Sequence, residues 1–187
     1  PNAAGVIGAL REGTADIGFL AYDETRARDV DFGAPFIAMA NSFLVKATSP
    51  IRSSADVDQA GRTVAAVKGQ TQEHFVSASM KRATIRLFEA MPPPADVDML
   101  LTSGAVDAFA INRQRSLEAE AASAGRLRAL PDSFLDVDQC VVVAKGNSAR
   151  LEVLERLVGD LRTSGFIKQS IERAKLVGVD VAPPRKR

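Results

Sequence analysis

The 187-residue chain has one cysteine, one histidine and one tyrosine, no tryptophan, and no excess of either charge. The lone Cys140 sits in Gln-Cys-Val-Val-Val, excludes an intramolecular disulfide and reads as a small buried hydrophobe, a pattern that neither requires nor forbids export. A metal cluster or a Cys-His pair would have to rest on His74 and Cys140, far apart in sequence. Asp96 and Asp98, two apart, point to different faces of a helix and read as its solvated start. The formal net charge is +1, so the balance favours neither a nucleic-acid nor a membrane surface. The one basic run, Arg185-Lys186-Arg187 after Pro183-Pro184, reads as a solvated tail. No apolar run reaches about 18 residues, so no membrane-spanning helix is expected, and Pro1-Asn2-Ala3-Ala4 is not the start of a signal peptide. Gly-x-Ser-x-Gly, the phosphate-binding Gly-x-x-x-x-Gly-Lys and Gly-x-Gly-x-x-Gly are all missing, so enzymatic readings find little support and no cofactor or metal is called for.

What is present is an alternation of short apolar runs with helical stretches. Strands are expected at 17–21, 42–45, 63–67, 84–88, 108–111, 127–130 and 139–144. Helices are expected at 2–12, 71–82, 95–103, 113–123, 148–163 and 165–176. Ser53 followed by Asp56 reads as a capping box, and Gly104 as a helix stop. The alternation predicts an α/β protein with mostly parallel sheets flanked by helices.

Three segments could hold chemistry. Gly13 to Phe36 reads as a short strand followed by a polar turn containing Arg26, then Val30-Asp31-Phe32 and Gly33-Ala34-Pro35-Phe36. Gly61 to Glu73 reads as a strand, a Gly69 turn and a helix whose first turn holds Gln70, Thr71 and Gln72. The free N–H groups and the positive dipole end there suit an anion, although a capped helix start without a ligand has the same sequence. Leu101 to Asn112 reads as a helix end, the Gly104 stop and a strand that closes on Asn112. Arg26 could fork onto a carboxylate, or lie on the surface near Glu24, Asp29 or Asp31; Arg28 reads as surface. Tyr22 could stack on a ligand or pack at a lobe edge, and Phe36 reads as core.

The ordered set Gly13, Asp16, Arg26, Val30, Phe32, Pro35 and Phe36, with the Gly69-Gln70-Thr71-Gln72-Glu73 turn and Leu101 to Asn112, resembles the extracellular solute-binding proteins of amino-acid ABC importers (family 3, type II periplasmic-binding-protein fold). The resemblance runs from Ala9 to the last helix pair, including Ser164-Gly165-Phe166-Ile167. It implies two lobes, residues 1–45 with 140–187 and residues 46–139, joined by two hinge crossings. It implies a small carboxylate-bearing solute taken up by hinge closure, with Arg26 and Thr71 on the carboxylate and Gln70 assisting. Asn112, Ala21 and Tyr22 would shape the remainder. The implied setting is periplasmic, with a monomer delivering to an ABC permease in the membrane. The family opens with a further βα unit, about 30 to 50 residues, so the resemblance implies that this chain lacks it and that lobe one wants a central strand.

Two departures bear on the ligand. Where the family has an Asp for the ligand's α-ammonium, this chain has Asn112, which offers no charge to a buried cation. After the first strand, where relatives place Ser or Thr, it has Leu20, Ala21 and Tyr22. An alternative on the same scaffold is a cyclohexadienyl-dehydratase-like enzyme, although Asn112 cannot ionise to serve as its general acid. A LysR-type effector-binding domain is another, and would need a preceding helix-turn-helix.

Overall fold

The computed structural model describes residues 2–183, so the basic tail at 185–187 lies outside the described residues. The chain forms two compact units, Pro1–Met39 with Val137–Arg187, and Ala40–Asp136. It passes from one to the other twice, within strand β2 (Val30–Lys46) and near the start of strand β7 (Leu135–Ala144).

In the first unit, helix α1 (Ala3–Arg11) starts at Asn2, whose side chain accepts the Gly5 N–H at 2.9 Å. Strand β1 (Gly18–Ala21) follows and pairs antiparallel with β7, Gly18 opposite Val142. Gly18 is required by close packing: a Cβ there would lie 2.6 Å from Val6 Cγ1 on α1. A 3-10 turn at Arg26–Arg28 leads into β2, and helices α5 (Ser148–Thr163) and α6 (Phe166–Arg173) precede strand β8 (Val179–Val181), antiparallel to β2. Alternation along β7 builds two apolar layers. Val142 packs with Leu10, Leu20 and Val30 on one face, while Val141 and Val143 meet Leu154 and Val158 of α5 on the other. Cys140 is buried, and Phe36 is half-buried against the second layer with its ring edge on Phe19, 5.4 Å between centroids.

In the second unit, β3 (Thr63–Val67), α2 (Thr71–Ser79), β4 (Thr84–Phe88), α3 (Pro94–Thr102), β5 (Ala108–Asn112), α4 (Arg113–Ala122) and β6 (Leu127–Ala129) follow in order. The sheet is sandwiched. Phe43, Val64, Ala66 and Ala110 face one core with Val76 of α2. Leu44, Ala65, Phe109 and Ile111 face the other with Val97 and Leu101 of α3.

The α/β class and the flanking helices are as expected. Parallel pairing is narrower: β3 runs parallel to β4 and β5, whereas β2 is antiparallel to β5, β6 and β8, and β1 to β7. Between β3, β4 and β5 the helices α2 and α3 supply the crossovers that parallel pairing needs. Three local differences have visible causes. The strand expected at 42–45 is the end of a 17-residue strand that already begins at Val30. Helix α2 stops at Ser79 because the Asp58 carboxylate accepts the N–H groups of Lys81, Arg82 and Ala83, drawing those residues out of the helix. Strand β8 was not expected, because three residues after a Gly178 turn present too short an alternation to register.

Candidate functional site

Ala21, Tyr22 and Arg26 belong to the first unit. Tyr22 donates its N–H to Asp138 O at 2.8 Å, continuing the β1–β7 ladder one residue past the strand, and its ring edge rests on Phe32, 5.2 Å between centroids. Asp23 then turns the chain: its Oδ1 accepts the Thr25 N–H at 2.9 Å, the Arg26 N–H at 3.3 Å and the Thr25 hydroxyl. That turn folds the Arg26 side chain back, and Nη1 donates to Ala21 O at 3.1 Å. Arg26 is only 8% exposed as a residue, and burial pushes its pKa down, with the Asp23 charge opposing the shift. Arg28, two residues on, is exposed.

Gln70, Thr71 and Asn112 belong to the second unit. Strand β3 ends at Val67, Gly69 takes φ +72°, and α2 begins at Thr71 after the extended Gln70. The Gln70 side chain makes no capping hydrogen bond. Glu73 reaches back so that its Oε2 accepts the Gly69 N–H at 3.3 Å, and it lies 3.5 Å from His74 Nε2. Asn112 ends β5 and caps α4, its Oδ1 accepting the Arg115 N–H at 2.9 Å. With that oxygen engaged, the amide has its two Nδ2 hydrogens to offer a ligand.

One residue of this region escaped the sequence reading, and the partner of another, Gln72, did too. Asn41, 1% exposed, lies opposite Asn112 in the β2–β5 ladder, and its Oδ1 accepts the Gln72 Nε2–H at 2.6 Å. The signal for it was the polar pair Asn41-Ser42 inside an otherwise apolar run, since buried amides are kept only where they find partners. The side chain of Gln72 points at Asn41, a tertiary contact that nothing in its own helix announces.

Among the described residues there is no group of three or more His, Cys, Asp or Glu side chains that could hold a metal ion, and no helix long and apolar enough to cross a membrane. His74 lies in the second unit and Cys140 in the first.

No protein-family model matches the chain, and no curated protein matches it in sequence. Solved structures do match. A binding component of an ABC transporter from Wolinella succinogenes, complexed with lysine, is 21% identical with a TM-score of 0.78, over 92% of this chain and 75% of that one. A histidine kinase sensor domain with similarity to periplasmic binding proteins is 22% identical with a TM-score of 0.75, over 96% and 77%. An ancestral amino-acid-binding protein, a precursor of cyclohexadienyl dehydratase, is 23% identical with a TM-score of 0.70, over 91% and 72%. Binder, sensor and enzyme precursor share this architecture, so the likeness fixes the fold and leaves the activity to the site. The chain has the α/β fold of the periplasmic binding proteins, the fold of amino-acid ABC transporter substrate-binding proteins.

Proposed function

We propose that the chain is the solute-binding component of an ABC importer and takes a small carboxylate-bearing solute, an amino acid or a relative of one. Arg26 and Thr71 hold the carboxylate, Gln70 assists, and Ala21, Tyr22 and Asn112 shape the rest of the site. It works as a monomer outside the cytoplasmic membrane, with the permease as its partner. The observation that supports this reading best is the buried Arg26, whose pKa is pushed down by desolvation. A cation in that environment gains most from a bound anion, because a charge-assisted hydrogen bond shielded from water contributes about 1.5 to 3 kcal/mol. The α2 start adds N–H groups and the positive dipole end. Neighbours bound to lysine, arginine and glutamine make the amino-acid class the first to try.

Asn112 narrows the choice. An amide whose oxygen already caps α4 is a poor seat for an α-ammonium and a better one for a ligand acceptor. The reading therefore favours carboxylates whose second polar group accepts a hydrogen bond.

The test is a thermal-shift screen of L-amino acids, their N-acyl and keto analogues and simple dicarboxylates, with calorimetric titration of the hits. Arg26→Ala is expected to weaken the hits about 10- to 100-fold, the equivalent of one charge-assisted hydrogen bond. Hits that ignore the substitution would remove Arg26 from the site. The dehydratase reading, favoured by the enzyme-precursor neighbour, would be established by product formation from prephenate or arogenate, and an inert mixture would dismiss it.

A further inference from the structure

Buried amides in an apolar sheet are costly unless every polar atom is matched, and such matched networks specify geometry more than they add stability. Asn41 is such a group. Its Oδ1 accepts from Gln72 Nε2 at 2.6 Å and its Nδ2 donates to Leu135 O at 3.0 Å. Its main-chain oxygen accepts the Phe134 N–H at 2.9 Å and the Ser133 hydroxyl at 3.0 Å. The partners are not arbitrary. Gln72 lies in the first turn of α2, beside Thr71; Asn41 lies in β2 two residues after the chain enters the unit; Leu135 begins β7 two residues before the chain leaves it.

We propose that Asn41 is a positioning residue that locks the first turn of α2 to both of the segments through which the chain enters and leaves this unit. The proposal rests on the reading of that turn as part of the ligand site. It gives Gln72 a role other than ligand contact: its amide is committed to Asn41, and the polarity of the pair is set by Leu135 O, which needs a donor and so turns Oδ1 towards Gln72. A ligand carboxylate that draws on the N–H groups at the start of α2 pulls on a turn that is tied, through one side chain, to β2 and β7. Ligand and crossing segments are then coupled by a hydrogen-bonded path of three residues, with no displacement of the apolar core required.

The test uses Gln72→Met, which keeps length and helix propensity and removes the donor, and Asn41→Asp, which keeps an acceptor for Gln72 and loses the donor to Leu135. Amide hydrogen exchange, followed residue by residue by NMR in the ligand-free protein, is expected to speed up about ten-fold at Phe134 in Gln72→Met, as local opening separates from global unfolding, while amides of β3 and β4 keep their rates. L-Arginine, L-glutamine and N-acetyl-L-glutamate are then titrated into wild type, Gln72→Met and Arg26→Ala. A several-fold loss of affinity in Gln72→Met, smaller than that in Arg26→Ala, supports the role. Unchanged exchange at Phe134 in Gln72→Met overturns it, and so does faster exchange with affinity intact for a probe that Arg26→Ala loses. If none of the probes binds wild type, the ligand reading fails for them, and the exchange result alone decides the coupling. If Gln72→Met does not fold, Asn41→Asp, which loses the donor to Leu135, decides: faster exchange at Phe134 supports the lock, and unchanged exchange overturns it.

Discussion

The two units are built from similar elements and packed to different degrees. Among the described residues the largest fully buried side chains, including Phe43, Phe109, Leu44, Ile51 and Leu101, belong to the second unit, with Val30 the exception in the first. The first unit has an apolar groove of about 430 Å³ along α5 and α6, lined by Ile17, Phe19, Phe36, Leu157, Phe166 and Leu176, with Phe19 57% exposed and Phe166 52%; the second has one of the same volume whose lining includes the charged Arg115 and Glu118. A sheet with helices on both faces dries out its core, and one whose face is left partly bare keeps large side chains half in water. Depressed carboxylates follow the same division. In the second unit Asp58 is held below its ordinary pKa chiefly by the backbone N–H groups of Lys81, Ala83 and Arg82. In the first, Asp31 is held down foremost by the Lys145 ammonium, 2.9 Å away, with the Gly146 N–H adding to it. The two carboxylates are thus held by different means, Asp58 by fixed backbone dipoles and Asp31 foremost by a side-chain charge.

The comparison is broken most directly at the cores. Phe109→Ala removes a fully buried ring that stacks on Phe88, and is expected to cost about 3 to 5 kcal/mol in urea denaturation. A loss under about 1 kcal/mol would mean that the second unit is not the better packed.

The next effect is electrostatic, and its sign follows from the direction of the shifts. Both carboxyls have folded pKa values below their usual 3.8, so each contributes stability that is fully present above the unfolded value and is lost as pH falls through the folded one. Asp58→Asn and Asp31→Asn should therefore lower the melting temperature at neutral pH, by an amount that shrinks as the pH drops below about 4. Melting curves at low and at about 1 M salt separate the causes: screening should erase most of the Asp31→Asn deficit and leave that of Asp58→Asn. Equal salt sensitivity would contradict the distinction.

The smallest effect belongs to the bare groove. Phe166→Ser, on a side chain that is half exposed, should change stability by about 0.5 kcal/mol or less. A cost like that of Phe109→Ala would show that the groove is covered in solution.

Legibility followed how local each cause is. The β3 and β4 bounds coincide with the expected 63–67 and 84–88, and α5 with 148–163, because strong apolar periodicity between turn residues needs no distant partner. The Ser53–Asp56 capping box is present, on a 3-10 turn, and Gly104 takes φ +77° at the end of α3. The length of β2, the early end of α2 and the existence of β8 were not legible, since each depends on a residue far along the chain. The chemistry divides similarly. Arg26 and Asn112 stand out by residue type and place in the segment; the burial of Arg26 and the engagement of the Asn112 oxygen in a helix cap do not.

By itself the sequence determined the α/β alternation, most helix ends, the absence of a disulfide and the short set of polar residues worth asking about. These are set within a few residues by side-chain size, branching and turn chemistry. Tertiary structure alone decided which strands pair parallel, where the chain passes between its units, and that Asn41 joins Gln72 to Leu135 across 31 and 94 residues of sequence. A buried amide finds its partner only once the sheet has brought distant backbone together, and no local pattern encodes that meeting.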